Sequence, residues 1–479
     1  MKLTFYGAAR QVTGSMYLLQ TNDGYNILID CGYDMEKDHK KSDTEDVDLE
    51  LEQKPHYGTF PFEPSQIHVV ILTHAHIDHT GRLPLLYKEG YEGQILCTTP
   101  TYYLTHILLE DSAMLNQKKL KRLLDKHKNK RMLPEAVSEL YFGKQVEDTM
   151  DMFVSIPLNQ KFKLNDEVSV SFHTAGHLLG AAHLVFKIKE DGKEKSICFS
   201  GDIGRKNYPL LPDPQRVPEV DYLVCESTYG ARLHRTNINP EHELEKLIEN
   251  SLVKKQGKLI FPAFSVGRTQ ALLYTLSKLY RNTELRKFKI YSDSPMAQKS
   301  SKVYEQFIKQ LNKEAREYFE DNDELFDFDQ FEYIQDLKQS KALTNHYEPC
   351  IIISSSGMIS GGRIEHHVRE SLENPKATIG IIGYCAEGTI GYELMNGAKE
   401  ITIRNQKLEV RCDIEVLDCF SAHGDQSDLI NFVEYQSPEK VKQIFLTHGD
   451  EYGMHTFAHH LTQKGYKTTI PYKGETFIL

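Results

Sequence analysis

No part of this sequence has the apolar length that a membrane span or an export signal requires. No apolar run approaches the roughly 20 residues that cross a bilayer. The N-terminal stretch, MKLTFYGAARQVTGSMYLLQ, lacks the uninterrupted apolar core and the cleavage site of a signal peptide. We therefore expect a cytoplasmic protein with no membrane partner.

The sequence also has no CxxC pair. Its eight cysteines are scattered, and most of them lie in apolar runs such as VCEST and ICFSGD. This pattern indicates buried, reduced thiols in a reducing compartment, and it disfavours both disulfides and a cysteine-based zinc site. Histidine is the informative residue type, because the chain contains 21 of them.

An excess of positive charge is absent as well. The formal net charge is −11, which argues against a protein that coats nucleic acid non-specifically. It does not exclude nucleic acid, because a carboxylate-rich metal centre can lie in a cleft whose walls are locally positive. The length of 479 residues is enough for two or more domains with their own cores.

The order of predicted elements suggests one domain that is interrupted by another. Short β-rich runs come first, and two of them, Tyr25–Asp30 and Val69–Thr73, are apolar enough to be strands buried on both faces. Strands and helices then alternate, which predicts a parallel α/β domain, before short strands return. We expect a first domain over residues 1–230, an insertion over 231–400 and the return of the first domain over 401–479.

A basic run, Lys118–Arg131, ends a predicted helix over Pro100–Arg131. The run contains leucines at positions 120, 123 and 124, which favours an amphipathic helix with a solvated basic face. An RNA-binding track is the alternative interpretation, and the sequence leaves it open.

The strongest chemical signal is the segment LTHAHIDHTG, which directly follows a predicted buried strand. It carries His74, His76, Asp78 and His79, four potential metal ligands within six positions. A single histidine is usually a core residue, but packing does not explain such a cluster. Zinc accepts histidine nitrogen and carboxylate oxygen, and a catalytic zinc site leaves one position for water.

Two later residues fit the same kind of site. His177 lies in a glycine-containing turn, HTAGHLLGAAH, and Asp202 lies at a predicted strand end in CFSGDIG. Each signal is weak by itself, because strand-end aspartates commonly cap the next element. His173 and His183 flank His177, and we interpret both as structural or supporting residues.

These motifs, in this order, resemble those of the metallo-β-lactamase superfamily. Asp30 in ILIDCG resembles its first motif, an aspartate that orients a metal-binding histidine. Three further motifs resemble the β-CASP group: VCESTYG with Glu226, CFSAHGD with His423 and LTHGD with His448. The similarity is strongest to the β-CASP ribonucleases, which include the cleavage and polyadenylation endonuclease subunit and its bacterial and archaeal relatives.

The resemblance implies an α/β fold, namely a metallo-β-lactamase αββα sandwich with an inserted parallel α/β β-CASP domain. It also implies two zinc ions per chain, although His/Asp sites accept manganese or iron as well. One zinc would be held by His74, His76 and His177. The other would be held by Asp78, His79 and His448, with Asp202 bridging both.

The same resemblance implies residue roles. Asp78, His423 and Glu226 are the expected catalytic residues. His423 would supply a proton or a positive charge to the leaving oxygen, and Glu226 would orient His423. The glycine-rich turn over residues 354–362 could grip a phosphate through Ser355 and Gly357. Arg268 could contact the RNA backbone through its guanidinium fork, and a purely structural ion pair is the alternative.

The implied function is a zinc-dependent ribonuclease that hydrolyses phosphodiester bonds of single-stranded RNA by metal-activated hydroxide, in RNA processing or decay. Endonuclease and 5′→3′ exonuclease action both stay open, as does a homodimer. A DNA nuclease of the β-CASP group is less favoured, because such members usually carry valine where this chain has His448. A small-molecule hydrolase of the superfamily is disfavoured, because such enzymes lack the insertion. A non-catalytic scaffold is disfavoured as well, because such relatives have typically lost metal ligands.

Overall fold

In the computed structural model, the chain folds into two compact units. The first unit is discontinuous in sequence, and the second interrupts it. The described residues are 1–35, 59–126, 137–235, 238–282 and 284–479. The first unit consists of Met1–Gly204, Pro214–Leu233 and His423–Leu479, and the second of Arg205–Asp213 and His234–Ala422.

The first sheet of unit one has seven strands among the described residues. They are β1 (Lys2–Phe5), β2 (Tyr17–Gln20), β3 (Asn26–Ile29), β4 (Val69–Ile71), β5 (Gln94–Cys97), β6 (Phe153–Ser155) and β22 (Thr476–Ile478). Their order is β22-β1-β2-β3-β4-β5-β6, and the strands from β3 to β6 are parallel. Strands β3 and β4 are almost entirely buried, as their continuous apolar sequences predict.

The second sheet of unit one also has seven strands in the part of the chain that is described. They are β7 (Lys161–Lys163), β8 (Val168–Thr174), β9 (Ala182–Glu190), β10 (Lys193–Phe199), β11 (Tyr222–Glu226), β20 (Gln443–Thr447) and β21 (Thr468–Thr469). Their order is β21-β20-β11-β10-β9-β8-β7. Strands β10, β11 and β20 are parallel to one another, so their carboxyl ends reach the same edge.

The two sheets pack face to face, and helices cover both outer faces. Side chains of both sheets, such as Phe5 and Phe186, share one core. Leu86 and Leu109 belong to helices that cover the first sheet, and Phe457 belongs to a helix that covers the second. The helices of this unit are α1 (Ile77–Thr80), α2 (Leu83–Lys88), α3 (Thr99–Lys126), α4 (Gly143–Met150), α12 (Gln426–Val433) and α13 (Glu451–Gln463).

The second unit is built on a parallel sheet of six strands among the described residues. These are β12 (Lys258–Pro262), β13 (Lys289–Asp293), β14 (Phe331–Tyr333), β15 (Cys350–Ser354), β16 (Thr378–Ile381) and β19 (Asp413–Val416), in the order β14-β13-β15-β12-β16-β19. A hairpin is formed by β17 (Glu400–Ile403) and β18 (Gln406–Glu409). The helices are α5 (Pro240–Ile248), α6 (Arg268–Asn282), α7 (Pro295–Gln306), α8 (Lys313–Asn322), α9 (Leu337–Thr344), α10 (Gly362–Ser371) and α11 (Ile390–Met395).

The expected fold class is confirmed: a helix–sheet–sheet–helix sandwich carries a parallel α/β insertion. The compact units and the expected domains differ at residues 231–233, which pack with the first unit, and at residues 205–213 and 401–422, which pack with the second. For residues 401–422, the reason is that β19 pairs in parallel with β16, from Thr378↔Asp413 to Ile381↔Val416. A β-rich sequence does not tell which sheet its strands will join.

The predicted helix over Pro100–Arg131 corresponds to α3, and residues 127–131 lie outside the described part of the chain. Among the described residues, no helix combines the length and the apolar character that crossing a membrane requires.

Candidate metal centre

The candidate ligands lie where parallel strands of the first unit end. His74 follows β4, Asp202 follows β10, and His448 directly follows β20. Strands β10 and β20 are parallel members of the second sheet and end at the same edge, and the segment after β4 of the first sheet reaches that edge, so residues far apart in sequence meet there. The sandwich fold therefore brings the candidate ligands together.

The first cluster contains His74, His76, His177 and Asp202. Nδ1 of His76 lies 3.1 Å from Nε2 of His74 and 3.2 Å from Nε2 of His177. Oδ2 of Asp202 lies 3.4 Å from Nε2 of His74 and 3.5 Å from Nε2 of His177. One potential ligand atom from each residue thus points toward a common centre.

These separations fit a tetrahedral metal ion. Ligand atoms about 2.0–2.1 Å from a tetrahedral zinc lie roughly 3.3 Å from one another, and nitrogen and oxygen are both suitable donors. Two neutral imidazole nitrogens at that separation gain little from each other. A shared cation gives both lone pairs a partner.

The second cluster contains Asp78, His79 and His448. Nε2 of His448 lies 3.3 Å from Nε2 of His79 and 3.3 Å from Oδ2 of Asp78. Oδ1 of Asp202 faces this cluster, at 3.3 Å from Nε2 of His79.

Asp202 therefore presents one carboxylate oxygen to each cluster, as expected of a bridging ligand. Its side chain is buried, and Oδ1 faces Nε2 of His79 at 3.3 Å and Nε2 of His448 at 3.6 Å. A buried carboxylate oxygen among imidazole nitrogens requires either protons on those nitrogens or a cation between them and the oxygen. The donor set thus fits two neighbouring divalent ions.

A buried carboxylate fixes the orientation of His79. Oδ2 of Asp30 accepts from Nδ1 of His79 at 2.7 Å. Thr73 holds the same carboxylate in place, because its backbone N–H and its hydroxyl donate to Oδ1 and Oδ2, both at 2.8 Å. Such a contact leaves Nε2 of the imidazole with its lone pair directed at the metal position.

A hydroxyl plays the corresponding role for His448. Oγ1 of Thr228 lies 3.0 Å from Nδ1 of His448 and donates to its backbone carbonyl at 3.2 Å. Since that hydroxyl proton is used on the carbonyl, Oγ1 accepts from Nδ1–H. Thr228 therefore selects the tautomer in which Nε2 of His448 is free to bind a metal.

His423 and Glu226 form a pair beside the first cluster. Nδ1 of His423 lies 3.4 Å from Oε1 of Glu226, and Nε2 lies 4.0 Å from Oδ2 of Asp202. Glu226 is buried and accepts from the backbone N–H groups of Ile203 and Thr228. His423 retains 12% side-chain exposure, so it borders solvent beside the buried ligands.

Protonation differs between the two clusters. Burial lowers the pKa of His76 to about 4 and holds the pKa values of His74 and His177 well below the usual range. Burial alone would also lower the pKa of His79, but the Asp202 and Asp30 carboxylates raise it well above that range. The first cluster thus offers neutral imidazoles, whereas the second holds protons that a divalent ion would replace.

Three family models match successive parts of the chain. The model described as "Metallo-beta-lactamase superfamily" matches residues 9–262, which is more than half of the chain. The chain belongs to the metallo-β-lactamase superfamily. The "Beta-Casp domain" model matches residues 269–394, and the "Zn-dependent metallo-hydrolase RNA specificity domain" model matches residues 407–471. The predicted membership of the β-CASP group is confirmed.

Curated relatives align over nearly the whole chain. "Ribonuclease TTHA0252" of Thermus thermophilus is 30% identical over 476 residues, 99% of each chain. "RNase J-like protein" of Methanocaldococcus jannaschii is 30% identical over 95% of this chain and 94% of its own. "Transcription termination factor FttA" of Methanosarcina mazei is 28% identical over 94% of this chain and 67% of its own.

Membership of the superfamily confirms the expected class, a metal-dependent hydrolase, and implies that the chain binds divalent metal. The clusters around Asp202 are the candidate positions in this metallo-hydrolase. Sequence reasoning missed Thr73 and Thr228, which orient ligands or their partners. Thr73 directly precedes His74 in LTHAH, and Thr228 follows Glu226 by two positions in CESTYG. A hydroxyl residue so close to a predicted site residue is the signal that could have identified both.

The two histidines interpreted as structural lie outside both clusters of this hydrolase. The ring of His183 is buried against Phe432, and its Nδ1 contacts the carbonyl oxygen of Ser200 at 2.5 Å. Burial lowers the pKa of His183 to about 4, so Nδ1–H donates from a neutral ring. His173 contacts the hydroxyl of Ser171 on the same strand.

The three predicted substrate-binding residues lie in the second unit. Oγ of Ser355 donates to Oγ of Ser294 at 3.3 Å. A Cβ at Gly357 would lie 2.9 Å from Cδ2 of Phe264, so only glycine fits that turn. Arg268 is buried, donates to the carbonyl of Tyr384 at 3.2 Å and stacks over the ring of Phe264.

Proposed function

We propose that this chain is a metal-dependent ribonuclease that hydrolyses phosphodiester bonds of single-stranded RNA in RNA processing or decay. The observation that carries the proposal is the position of the His423–Glu226 pair, 4.0 Å from the carboxylate that faces both ligand clusters. The matched RNA specificity domain and the ribonuclease names of two relatives support RNA as the substrate.

We infer two zinc ions, with manganese or iron as substitutes that the same ligands accept. His74, His76 and His177 would hold one ion, and Asp78, His79 and His448 the other, with Asp202 shared. When bound, such ions supply a water of lowered pKa and offset charge on the phosphoryl oxygens. The catalytic role expected of Asp78 would then be that of a metal ligand beside the reacting phosphate.

The protein groups would handle the leaving oxygen. The bond from phosphorus to the 3′-oxygen breaks as water oxygen joins phosphorus, and the leaving oxygen needs a proton. His423 borders solvent next to the clusters and would donate that proton from Nε2. Glu226 would accept from Nδ1 of His423 and so fix the angle of the ring.

The turn in the second unit would bind a substrate phosphate. Gly361 and Gly362 have positive φ values of 77° and 78°, which favour glycine, and they lead into the N-terminus of helix α10, where free backbone N–H groups favour an anion. Ser355 adds a hydroxyl, and Gly357 lets the chain pass close to Phe264. We propose Ser355 and Gly357 as phosphate contacts and Arg268 as a backbone contact.

The proposal is tested with end-labelled single-stranded RNA and DNA of matched sequence. Purified protein should cleave the RNA, lose activity with a chelator and regain it when zinc or manganese is returned. His423→Ala should lower the cleavage rate by roughly 10²- to 10⁴-fold while metal analysis still finds two ions. The pattern of products from 5′- and 3′-labelled RNA distinguishes endonuclease from 5′→3′ exonuclease action.

His173→Ala is the matched control, because this histidine lies outside both clusters and should leave cleavage unchanged. Loss of metal together with activity in His423→Ala would contradict its proposed role. Failure to cleave RNA with two ions bound would contradict the ribonuclease proposal, and preferential DNA cleavage would favour the DNA alternative.

We further propose that the protein acts in the cytoplasm. All eight cysteines are buried and unpaired, which is consistent with a reducing compartment. A homodimer stays a prediction, and light scattering of the purified protein tests it.

A further inference from the structure

The second half of helix α3 carries a dense group of cations. Lys118, Lys119, Lys121 and Arg122 are all exposed, and we call them the α3 cationic face. Lys118 and Arg122 are four positions apart, so they lie one above the other on the helix surface. A chain with a net charge of −11 thus concentrates four positive charges within five residues.

Helix stability does not explain this group. Like charges three or four positions apart on a helix repel each other and destabilise it. Lys118 has such neighbours at 121 and 122, and Lys119 has one at 122. The helix dipole favours cations only in the last turn of a helix, whereas these four precede even the last described turn of α3, residues 123–126. Between Ser112 and Lys126 the helix contains one acidic residue, Asp125.

Exposed apolar side chains lie one turn before the cations. Met114 and Leu115 are 50% and 55% exposed, although they are large and hydrophobic. They precede Lys118 and Lys119 by four positions, so they continue the same side of the helix. We call Met114 and Leu115 the apolar strip; together with the neighbouring cations, it suits a ligand that has both anionic and apolar parts.

The opposite side of α3 is anchored to the fold. Leu109 and Ala113 are buried in the core that covers the first sheet. One turn later, Nδ2 of Asn116 donates to the carbonyl oxygen of Tyr141 at 3.0 Å. The helix therefore presents the cations and the apolar strip on a supported element.

We propose that the α3 cationic face binds the sugar–phosphate backbone of single-stranded RNA outside the metal centre. The cations contact phosphates, and Met114 and Leu115 pack against the apolar faces of sugars and bases. RNA is favoured as the partner because a polyanion complements four adjacent cations. This proposal rests on the proposed ribonuclease function and adds a second RNA-binding surface to it.

The test combines four substitutions, Lys118→Gln, Lys119→Gln, Lys121→Gln and Arg122→Gln, in a His423→Ala background that prevents cleavage. Binding of a fluorescent single-stranded RNA is measured by anisotropy from about 50 to 300 mM salt. Each phosphate contact on a single strand contributes about 0.7 to the slope of log K against log[salt]. Four lost contacts reduce the slope by up to about 2.8, which at 0.1 M salt corresponds to up to about 600-fold weaker binding. We expect at least a ten-fold loss.

The matched control removes four other exposed lysines of the same unit, with Lys161→Gln, Lys189→Gln, Lys193→Gln and Lys467→Gln. It should leave the slope nearly unchanged. A charge-preserving variant with Lys118→Arg, Lys119→Arg and Lys121→Arg should retain the binding.

An unchanged slope in the glutamine variant would overturn the α3 proposal, as would an equal loss in the control. If the His423→Ala parent fails to bind RNA and the wild type fails to cleave it, the ribonuclease proposal itself fails. The α3 proposal would also be overturned if the glutamine variant kept its RNA binding but lost binding to an acidic protein.

Discussion

Replacing Thr228 with valine tests whether one hydroxyl prepares His448 for metal. Valine has nearly the same shape as threonine but no hydroxyl, so the change removes two contacts with His448. The imidazole then loses the acceptor for Nδ1–H. When the ring gives up one proton, it is then free to keep the other on Nε2, where the carboxylate of Asp78 lies 3.3 Å away. That tautomer cannot bind a metal through Nε2.

The size of the effect follows from the buried hydrogen bond. His448 is buried, so a donor without an acceptor costs about 1–3 kcal/mol. Each 1.4 kcal/mol is a factor of ten in an equilibrium constant, so affinity should fall by roughly 5- to 150-fold. Only the ion held by Asp78, His79 and His448 should be affected, because Thr228 contacts His448 and, among the described residues, forms no hydrogen bond with His74, His76 or His177.

The measurement is competition with a metallochromic chelator, which resolves the two binding steps, together with metal analysis after dialysis. Thr228→Ser keeps the hydroxyl and should keep near wild-type affinity. Thr275→Val is the matched control, because that buried hydroxyl donates only to the carbonyl of Ala271 in helix α6. Wild-type affinity in Thr228→Val, or equal loss in Thr228→Ser, would refute the reasoning.

Two further changes test the surroundings of the ligands. Asp30→Asn should weaken the same second ion about 10- to 100-fold, because the amide cannot accept from both His79 and Thr73 as the carboxylate does; unchanged chelator competition would contradict this. His183 should make the metal-free protein less stable in acid. Its folded pKa of about 4 lies below the unfolded value near 6.5, so stability is full above about pH 6.5 and falls toward pH 4 as the unfolded state takes up the proton. His183→Gln should flatten that dependence by up to about 1.4 kcal/mol per pH unit in urea unfolding, and an unaltered slope would assign the acid sensitivity to other groups.

The ligand residues could be chosen from the sequence because each motif is local. His74 and His76 stand two positions apart after a buried apolar strand, and Asp202 and His448 also follow such strands. Since a strand that is buried on both faces reads as a continuous apolar run, its end is visible without a structure. The resemblance then supplied what spacing does not, namely which motifs converge.

Other features depend on contacts between distant segments. The bond from Thr228 to His448 joins residues 220 positions apart, and nothing in CESTYG indicates which imidazole it will meet. Strand β19 joined the parallel sheet although its short β-rich sequence equally suited the sandwich. Pairing partners of this kind are set by packing, which a single sequence encodes only indirectly.

The charge of the chain gives the two proposed RNA surfaces different tasks. At −11, the molecule as a whole repels a polyanion, so attraction must come from local positive charge. Bound divalent ions would concentrate such charge around Asp202, where a phosphate has to react, but charge of that kind disappears when the ions are removed. The α3 cationic face keeps its charge without metal. RNA binding should therefore persist in the presence of a chelator, with a salt dependence set mainly by Lys118, Lys119, Lys121 and Arg122, even though cleavage stops.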